Sequence, residues 1–185
     1  GLHNWVASFD LNSLYPHLIM QYNISPETLV ESSEYTESMQ KLATKASVED
    51  LLEQRLDTSI LKGVTITPNG QFFRTDKQGF LPAMMIEMYE DRKKFKKLML
   101  KAEQEYENEK DVSKRKELEK LIARYNNLQL AKKVSLNSAY GAMGSQYFRF
   151  YDLRQALAVT QAGQLSIRWI ENKLNEYMNE VLKIG

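Results

Sequence analysis

From Pro82 to Val134 the apolar residues recur at helical spacing with one interruption, and no other feature of the sequence restricts the fold as much. Met84, Met85, Met88, Tyr89, Phe95, Leu98, Met99, Ala102 and Tyr106 form the stripe of an amphipathic helix reaching to about Lys110. Asp111-Val112-Ser113 break the pattern, which resumes through Leu118, Leu121, Ile122, Tyr125, Leu128 and Val134. Two long helical runs separated by so short a break fold most simply as an antiparallel helical hairpin.

The remaining segments add little β structure. Trp5-Val6-Ala7-Ser8-Phe9-Asp10-Leu11 is rich in β-branched and aromatic residues and reads as a buried strand with Asp10 at its end. A short helix fits between Pro16 and Pro26, and Ser47 with Asp50 three residues on predicts a helix over 46–57. Between Gly63 and Pro82, Thr-Ile-Thr and Gln-Phe-Phe-Arg-Thr flank Pro68-Asn69-Gly70, the signal of a β-hairpin that should cover the base of a helix. Gly141 and Gly144 interrupt the second long helix, and Asp152 caps a last helix from about Leu153 to Leu182. The expected fold class is mainly α with a small β portion, without internal repeats or a flexible linker.

Composition narrows the chemistry. With no cysteine and only His3 and His17, the chain has neither a disulfide framework nor thiolate or histidine-rich metal sites, so any metal should be a hard, oxygen-bound ion such as Mg²⁺. The net charge of +1 conceals an asymmetry: residues 1–62 hold nine acids and four bases, residues 63–185 fifteen acids and twenty-one bases. The second part is therefore the candidate for an anionic partner, although a mild excess along a helix also describes a solvated face. No apolar run approaches membrane-spanning length, and Gly1-Leu2-His3-Asn4-Trp5 lacks the pattern of a signal peptide, so neither a membrane nor export is expected.

Three constellations carry chemistry. In Asp10-Leu11-Asn12-Ser13-Leu14-Tyr15-Pro16 an acid at a strand end is followed within one turn by small polar and aromatic residues locked by proline. Taken alone, Asp10 is equally a cap for the next helix, and a buried core tyrosine is the plainer reading of Tyr15. Arg92, Lys93, Lys94, Lys96, Lys97 and Lys101 put six bases in ten positions of a predicted helix. Arg92 and Lys96 lie four apart on one face, where two cations can grip one polyphosphate; the plainer reading is a solvated face. Lys133, Asn137 and Tyr140, at i, i+4 and i+7, line up a cation, an amide and a ring along two helical turns. Tyr140 with Gly141 alone also fits an ordinary helix end, but that reading leaves the rest of the row unexplained.

Asp10-x-x-Ser13-Leu14-Tyr15-Pro16 resembles motif A of the family B DNA polymerases, Arg92-x-x-x-Lys96 matches their fingers-helix bases, and Lys133-x-x-x-Asn137-Ser138-x-Tyr140-Gly141 resembles their motif B. Asn23-Ile24-Ser25-Pro26-Glu27-Thr28 and Phe148-Arg149-Phe150-Tyr151-Asp152-Leu153-Arg154 are similar to the replicative polymerases of large tailed bacteriophages. His17 departs from the usual serine, the loop at 107–117 is short for that group, and residues 31–62 match little.

The resemblance implies a partial palm over 1–82, a fingers hairpin over 83–141 ending in motif B, and a return to the palm over 142–185. It implies that Asp10 and the carbonyl of Leu11 bind metal, with two Mg²⁺ ions in the complete enzyme. The amides of Ser13, Leu14 and Tyr15 face the triphosphate, and the Tyr15 ring stacks under the deoxyribose and excludes a 2′-hydroxyl. Arg92 and Lys96 take the β and γ phosphates. Lys133 binds the α and γ phosphates and supplies the acid for the leaving pyrophosphate. Asn137 places Tyr15 and the phosphates, and Tyr140 and Gly141 contact the nascent base pair.

The implied partners are a primer-template DNA, a deoxynucleoside triphosphate and further polymerase parts: an exonuclease, a thumb, and the Tyr-Gly-Asp-Thr-Asp-type hairpin that carries a second metal carboxylate. Residues 1–185 contain no such hairpin, so this polypeptide is expected to extend no primer alone and to self-associate through an uncovered palm edge. One chain of a split polymerase, or a non-catalytic helical hairpin that binds nucleic acid or a partner protein, are the alternative readings. The implied location is the cytoplasm of a phage-infected bacterium.

Overall fold

The structure, a computed structural model, describes residues 8–180. It is mainly helical: α1 (Leu14–Tyr22), a 3-10 turn (Ser32–Glu34), α2 (Glu37–Lys45), α3 (Val48–Leu52), β1 (Val64–Ile66), β2 (Phe72–Arg74), α4 (Phe80–Asn108), α5 (Val112–Met143) and α6 (Leu153–Glu180). The expected mainly-α fold with a small β portion is the fold observed.

The hairpin of α4 and α5 turns where the pattern broke. Asp111 is the N-cap of α5, its carboxylate accepting from the Lys114 amide at 3.0 Å. Near the base Lys132 pairs with Asp91 at 2.6 Å. Toward the tip the Tyr106 hydroxyl donates to Glu119 at 2.8 Å, and the Arg115 guanidinium lies 4.3 Å from the Tyr106 ring centroid. These pairs fix the antiparallel register. Helix α4 begins two residues before Pro82, because a proline in the first turn lacks an amide that would have no helical acceptor anyway. Helix α5 runs through Gly141 to Met143 and stops at Gly144, so Gly141 does not interrupt it. The expected boundaries at 82/83 and 141/142 thus fall inside the end turns of these helices.

β1 and β2 form an antiparallel ladder pairing Val64 with Arg74, Thr65 with Phe73 and Ile66 with Phe72, closed by a turn in which Gly70 adopts φ 75°. A side chain there would also collide with the Ala43 carbonyl of α2 at 2.6 Å. Asn69 of the same turn donates to the Arg154 carbonyl at 2.8 Å, so the hairpin does cover the base of a helix, α6. Residues 28–30 run beside β2, with the Arg74 amide donating to Thr28 and the Val30 amide to Phe72.

Neighbouring residues on β2 face opposite sides, and both phenylalanines are fully buried. Phe73 belongs to a core with Ile19, Ile24, Leu81, Met85, Leu136 and Val159, which joins α1, α4, α5 and α6. Phe72 belongs to a second core with Val30, Met39, Leu42 and Ile66 over α2.

Two expectations are corrected. Of the opening strand, residues 5–7 lie outside the described residues, while 8–11 form no strand and Phe9 is 72% exposed. Among the described residues no strand lies beside them to complete a ladder, and unpaired backbone gains nothing by extending as a buried strand. The helix expected over 46–57 is only Val48–Leu52. Ser47 caps it as anticipated, but Gln54 turns left-handed at φ 54° and the Arg55 amide closes back on the Asp50 carbonyl. Asp152 caps α6, accepting the amide of Arg154 at 2.8 Å; whether the helix reaches Leu182 lies outside the described residues.

Candidate functional site

At the base of the helical hairpin, a cleft of about 530 Å³ is lined by residues 10–16 of the loop and first turn of α1, by Arg92 and Lys96 of α4, and by Lys133, Asn137 and Tyr140 of α5. The helical spacings seen in the sequence account for this convergence. Arg92 and Lys96 project from one face of α4, and the Lys133, Asn137, Tyr140 row presents one face of α5. Of the residues nominated from sequence, only Gly141 stays out: it is exposed, and a side chain added there would meet nothing within 4 Å.

The loop is held in an uncommon shape. Ser13 adopts a left-handed conformation at φ 55°, ψ 43°, which costs a non-glycine residue on the order of 1–2 kcal/mol. Arg92 Nη1 donates to both Asn12 Oδ1 and Ser13 Oγ at 3.2 Å, tying α4 to this loop across eighty residues. The Ser13 hydroxyl donates to Asn12 and gives α1 no cap. The Leu14 and Tyr15 amides accordingly find no acceptor among the described residues, and Pro16 brings no amide. These free donors at a helix start suit an anion. His17 donates from Nδ1 to the Ser13 carbonyl at 2.8 Å and meets the Tyr89 ring edge-on at 4.7 Å, so its departure from serine is accommodated by local bonding.

The charges are arranged unevenly. Among the described residues Asp10 is the sole carboxylate lining the cleft. Lys96 and Lys133 have no acidic partner within 4.0 Å among the described residues, and Arg92 Nε is buried with no acceptor. Three cations facing one carboxylate leave strong net positive potential, with donors unspent. Tyr15 and Tyr140 stack at 4.5 Å between centroids, tilted by 46°. Burial, with the Tyr15 phenol close by, pushes the Tyr140 hydroxyl above the usual tyrosine range, so it stays neutral and able to donate.

Asn12 was not nominated from sequence. It stood inside a nominated segment, but its bond to Arg92 depends on a residue eighty positions away, which local spacing does not reveal.

The chain has relatives. Residues 1–184 match the sequence profile of DNA polymerase family B. The chain belongs to that family. It is 32% identical to the DNA-directed DNA polymerase of Escherichia phage RB69 over 97% of its length, and 31% identical to that of Enterobacteria phage T4 over 96%. It spans 23% of the length of each of these two polymerases. Among solved structures, the family B DNA polymerase of the archaeon Pyrobaculum calidifontis is similar, with a TM-score of 0.55 and 25% identity over 94% of this chain and 17% of that one. The matched span includes every residue that lines the cleft.

Metal binding is a question of donors. Asp10 and a backbone carbonyl at Leu11 are hard oxygen ligands of the kind Mg²⁺ prefers. One carboxylate does not make a two-ion centre, and the described residues contain no cluster of three metal-ligating side chains.

Proposed function

We propose that the cleft binds a deoxynucleoside triphosphate as its magnesium complex and forms one part of the active centre of a DNA-templated DNA polymerase. The observation that carries this is the meeting of Arg92, Lys96 and Lys133 with Asp10 and Tyr15 in one cleft. A triphosphate needs several cations, and a sugar next to it needs an apolar floor.

In this reading Arg92 exchanges its neutral acceptors Asn12 and Ser13 for the stronger charged oxygens of the β and γ phosphates, and Lys96 takes the same groups. Lys133 binds the α and γ phosphates and delivers the proton that the departing pyrophosphate requires. The amides of Ser13, Leu14 and Tyr15 hold phosphate oxygens. The Tyr15 ring lies under the deoxyribose where a 2′-hydroxyl would collide with it. Asn137 orients Tyr15, and Tyr140 with Gly141 faces the nascent base pair. When bound, magnesium neutralises phosphate charge, and Asp10 with Leu11 marks the end of the cleft where it would be held.

In the same reading residues 1–82 are partial palm, 83–141 the fingers and 142–185 the return to the palm. The partners would be primer-template DNA and polymerase parts carrying a second metal carboxylate and a grip on the duplex, and the setting a phage-infected bacterial cytoplasm. With Asp10 the sole carboxylate that the described residues bring to the cleft, the 185-residue chain should extend no labelled primer, and templated incorporation by the purified chain would refute that. A non-catalytic hairpin module would explain the basic stretch but gives no reason for Asp10, Tyr15 and Asn137 to share a cleft with it.

Equilibrium titration with dATP tests the site. With Mg²⁺ the chain should bind at roughly millimolar affinity, because few contacts must offset the cost of ordering the ligand. The Arg92→Ala, Lys133→Ala double variant should lose this binding while keeping the wild-type circular dichroism. Equal binding by both proteins would remove the basis of the proposal.

A further inference from the structure

Tyr15 has a neighbour that neither motif contains. The Cδ1–Cε1 edge of its ring rests on Gly163 of α6, so closely that a Cβ at 163 would stand 3.0 Å from Tyr15 Cε1 and 3.7 Å from Tyr15 Cδ1 and Leu18 Cδ1. The backbone does not demand glycine there, since Gly163 is absent from the positive-φ residues and sits in mid-helix, where glycine costs about 1 kcal/mol against alanine. What the position needs is empty space.

Helix α6 cannot supply that space by moving back. Ala158, Val159 and Ala162 are fully buried at 0% exposure, and Val159 is part of the core that also contains Ile19 and Met85. Cores packed at crystal-like density resist such shifts. Any side chain at 163 is therefore relieved by the ring, which gives way by a few tenths of an ångström from α6. That ring already stacks on Tyr140 and lines the cleft.

We infer that Gly163 is a specificity-determining position of the nucleotide site: the side chain it lacks sets how far back the Tyr15 ring sits, and hence how much room the sugar has. Gly163 touches no ligand in this account and acts through Tyr15 as a positioning residue. The inference rests on the nucleotide reading above and deepens it, since it assigns the sugar subsite a third wall, on α6, besides the loop and α5.

The test is a double-mutant cycle on the 185-residue chain, titrated with dATP and with ATP in Mg²⁺. Gly163→Ala is expected to weaken dATP binding about fivefold and ATP binding by more, as a shallower subsite crowds the larger sugar harder. In a Tyr15→Ala background the same substitution is expected to change dATP affinity less than about twofold, because the intermediary is gone. Thermal melts accompany each titration, and a purely structural role would lower affinity alike in both backgrounds. Equal losses in the two backgrounds, or no loss in Gly163→Ala, overturn the inference while leaving the nucleotide site standing. Absence of dATP binding by the wild-type chain overturns the nucleotide reading and this inference with it. If Gly163→Ala does not fold, the Tyr15→Ala, Gly163→Ala chain, freed of the collision, should fold, and its failure to do so also overturns the inference.

Discussion

Glu27 caps a helix that begins fifty-three residues later. Its carboxylate accepts from the Phe80 amide at 2.6 Å, Ser25 Oγ from Leu81 at 3.4 Å and Asn23 Oδ1 from Gly79 at 2.9 Å, so the turn after α1 supplies the acceptors that the start of α4 lacks. Partial burial raises the Glu27 carboxyl, but bonds from the Ser25 hydroxyl and the Phe80 amide, with Lys77 nearby, outweigh it and hold the group below its ordinary value of 4.5. The folded state therefore binds this proton less readily than the unfolded chain. The stabilisation is complete above about 4.5 and is lost as pH falls through the lowered folded value. Glu27→Gln should cost roughly 0.5–1 kcal/mol at pH 7, from the lost charge at a helix N-terminus. Melting curves of both proteins should converge as pH drops below the lowered folded value, and a constant gap at all pH values would show that the charge is not responsible.

At the scale of elements, β2 is a partition between two cores, and its two phenylalanines should fail differently. Phe73→Ala opens the core under α1, α4 and α5 at a cost of about 3–5 kcal/mol and should weaken dATP binding even where the chain remains folded. Phe72→Ala, with a similar loss of stability, opens the core over α2 and should leave dATP affinity of the folded chain within about twofold. Urea unfolding followed by titration in folding conditions distinguishes them. Matching affinity losses would mean that the two cores act as one.

Legibility in the sequence follows the same division between near and far. The hairpin turn at Asp111, the Ser47 cap and the Lys133, Asn137, Tyr140 row were readable because each depends on residues within a few turns of one helix. The motif resemblance then carried Asp10, Tyr15 and Arg92 to one cleft, which spacing alone did not. What escaped was tertiary: Asn12 beneath Arg92, Gly163 behind Tyr15, and Glu27 at the head of α4. Residues 8–11 form no strand although their composition favours one, because composition reports a preference whereas a strand requires a neighbour.

For the whole molecule, the exposed side of α6 has the largest consequence. Ile167, Ile170, Leu174 and Met178 follow helical spacing and, with Phe9 and Leu14, line an apolar cleft of about 580 Å³ that adjoins Asp10. Ile167 is 52% and Met178 51% exposed. A surface of this kind drives association when nothing covers it. The chain should therefore sediment as oligomers at tens of micromolar (an order-of-magnitude figure for weak apolar contacts), and Ile167→Lys with Met178→Lys should shift it toward monomer. Monomeric wild-type chain at that concentration would refute this.

The α4–α5 hairpin is anchored through Leu81, Met85 and Leu136 at one end, and beyond Arg92 the only buried side chain of its outer α4 segment is Ala102. Mechanically this is a lever with its load close to the fulcrum. Arg92 stands about 10 Å of helix beyond Met85, whereas the tip at Asn108 stands about 35 Å beyond it. A swing that carries the tip through about 7 Å moves the Arg92 backbone only about 2 Å. Coarse motion at the far end is geared down to a fine adjustment of the cations.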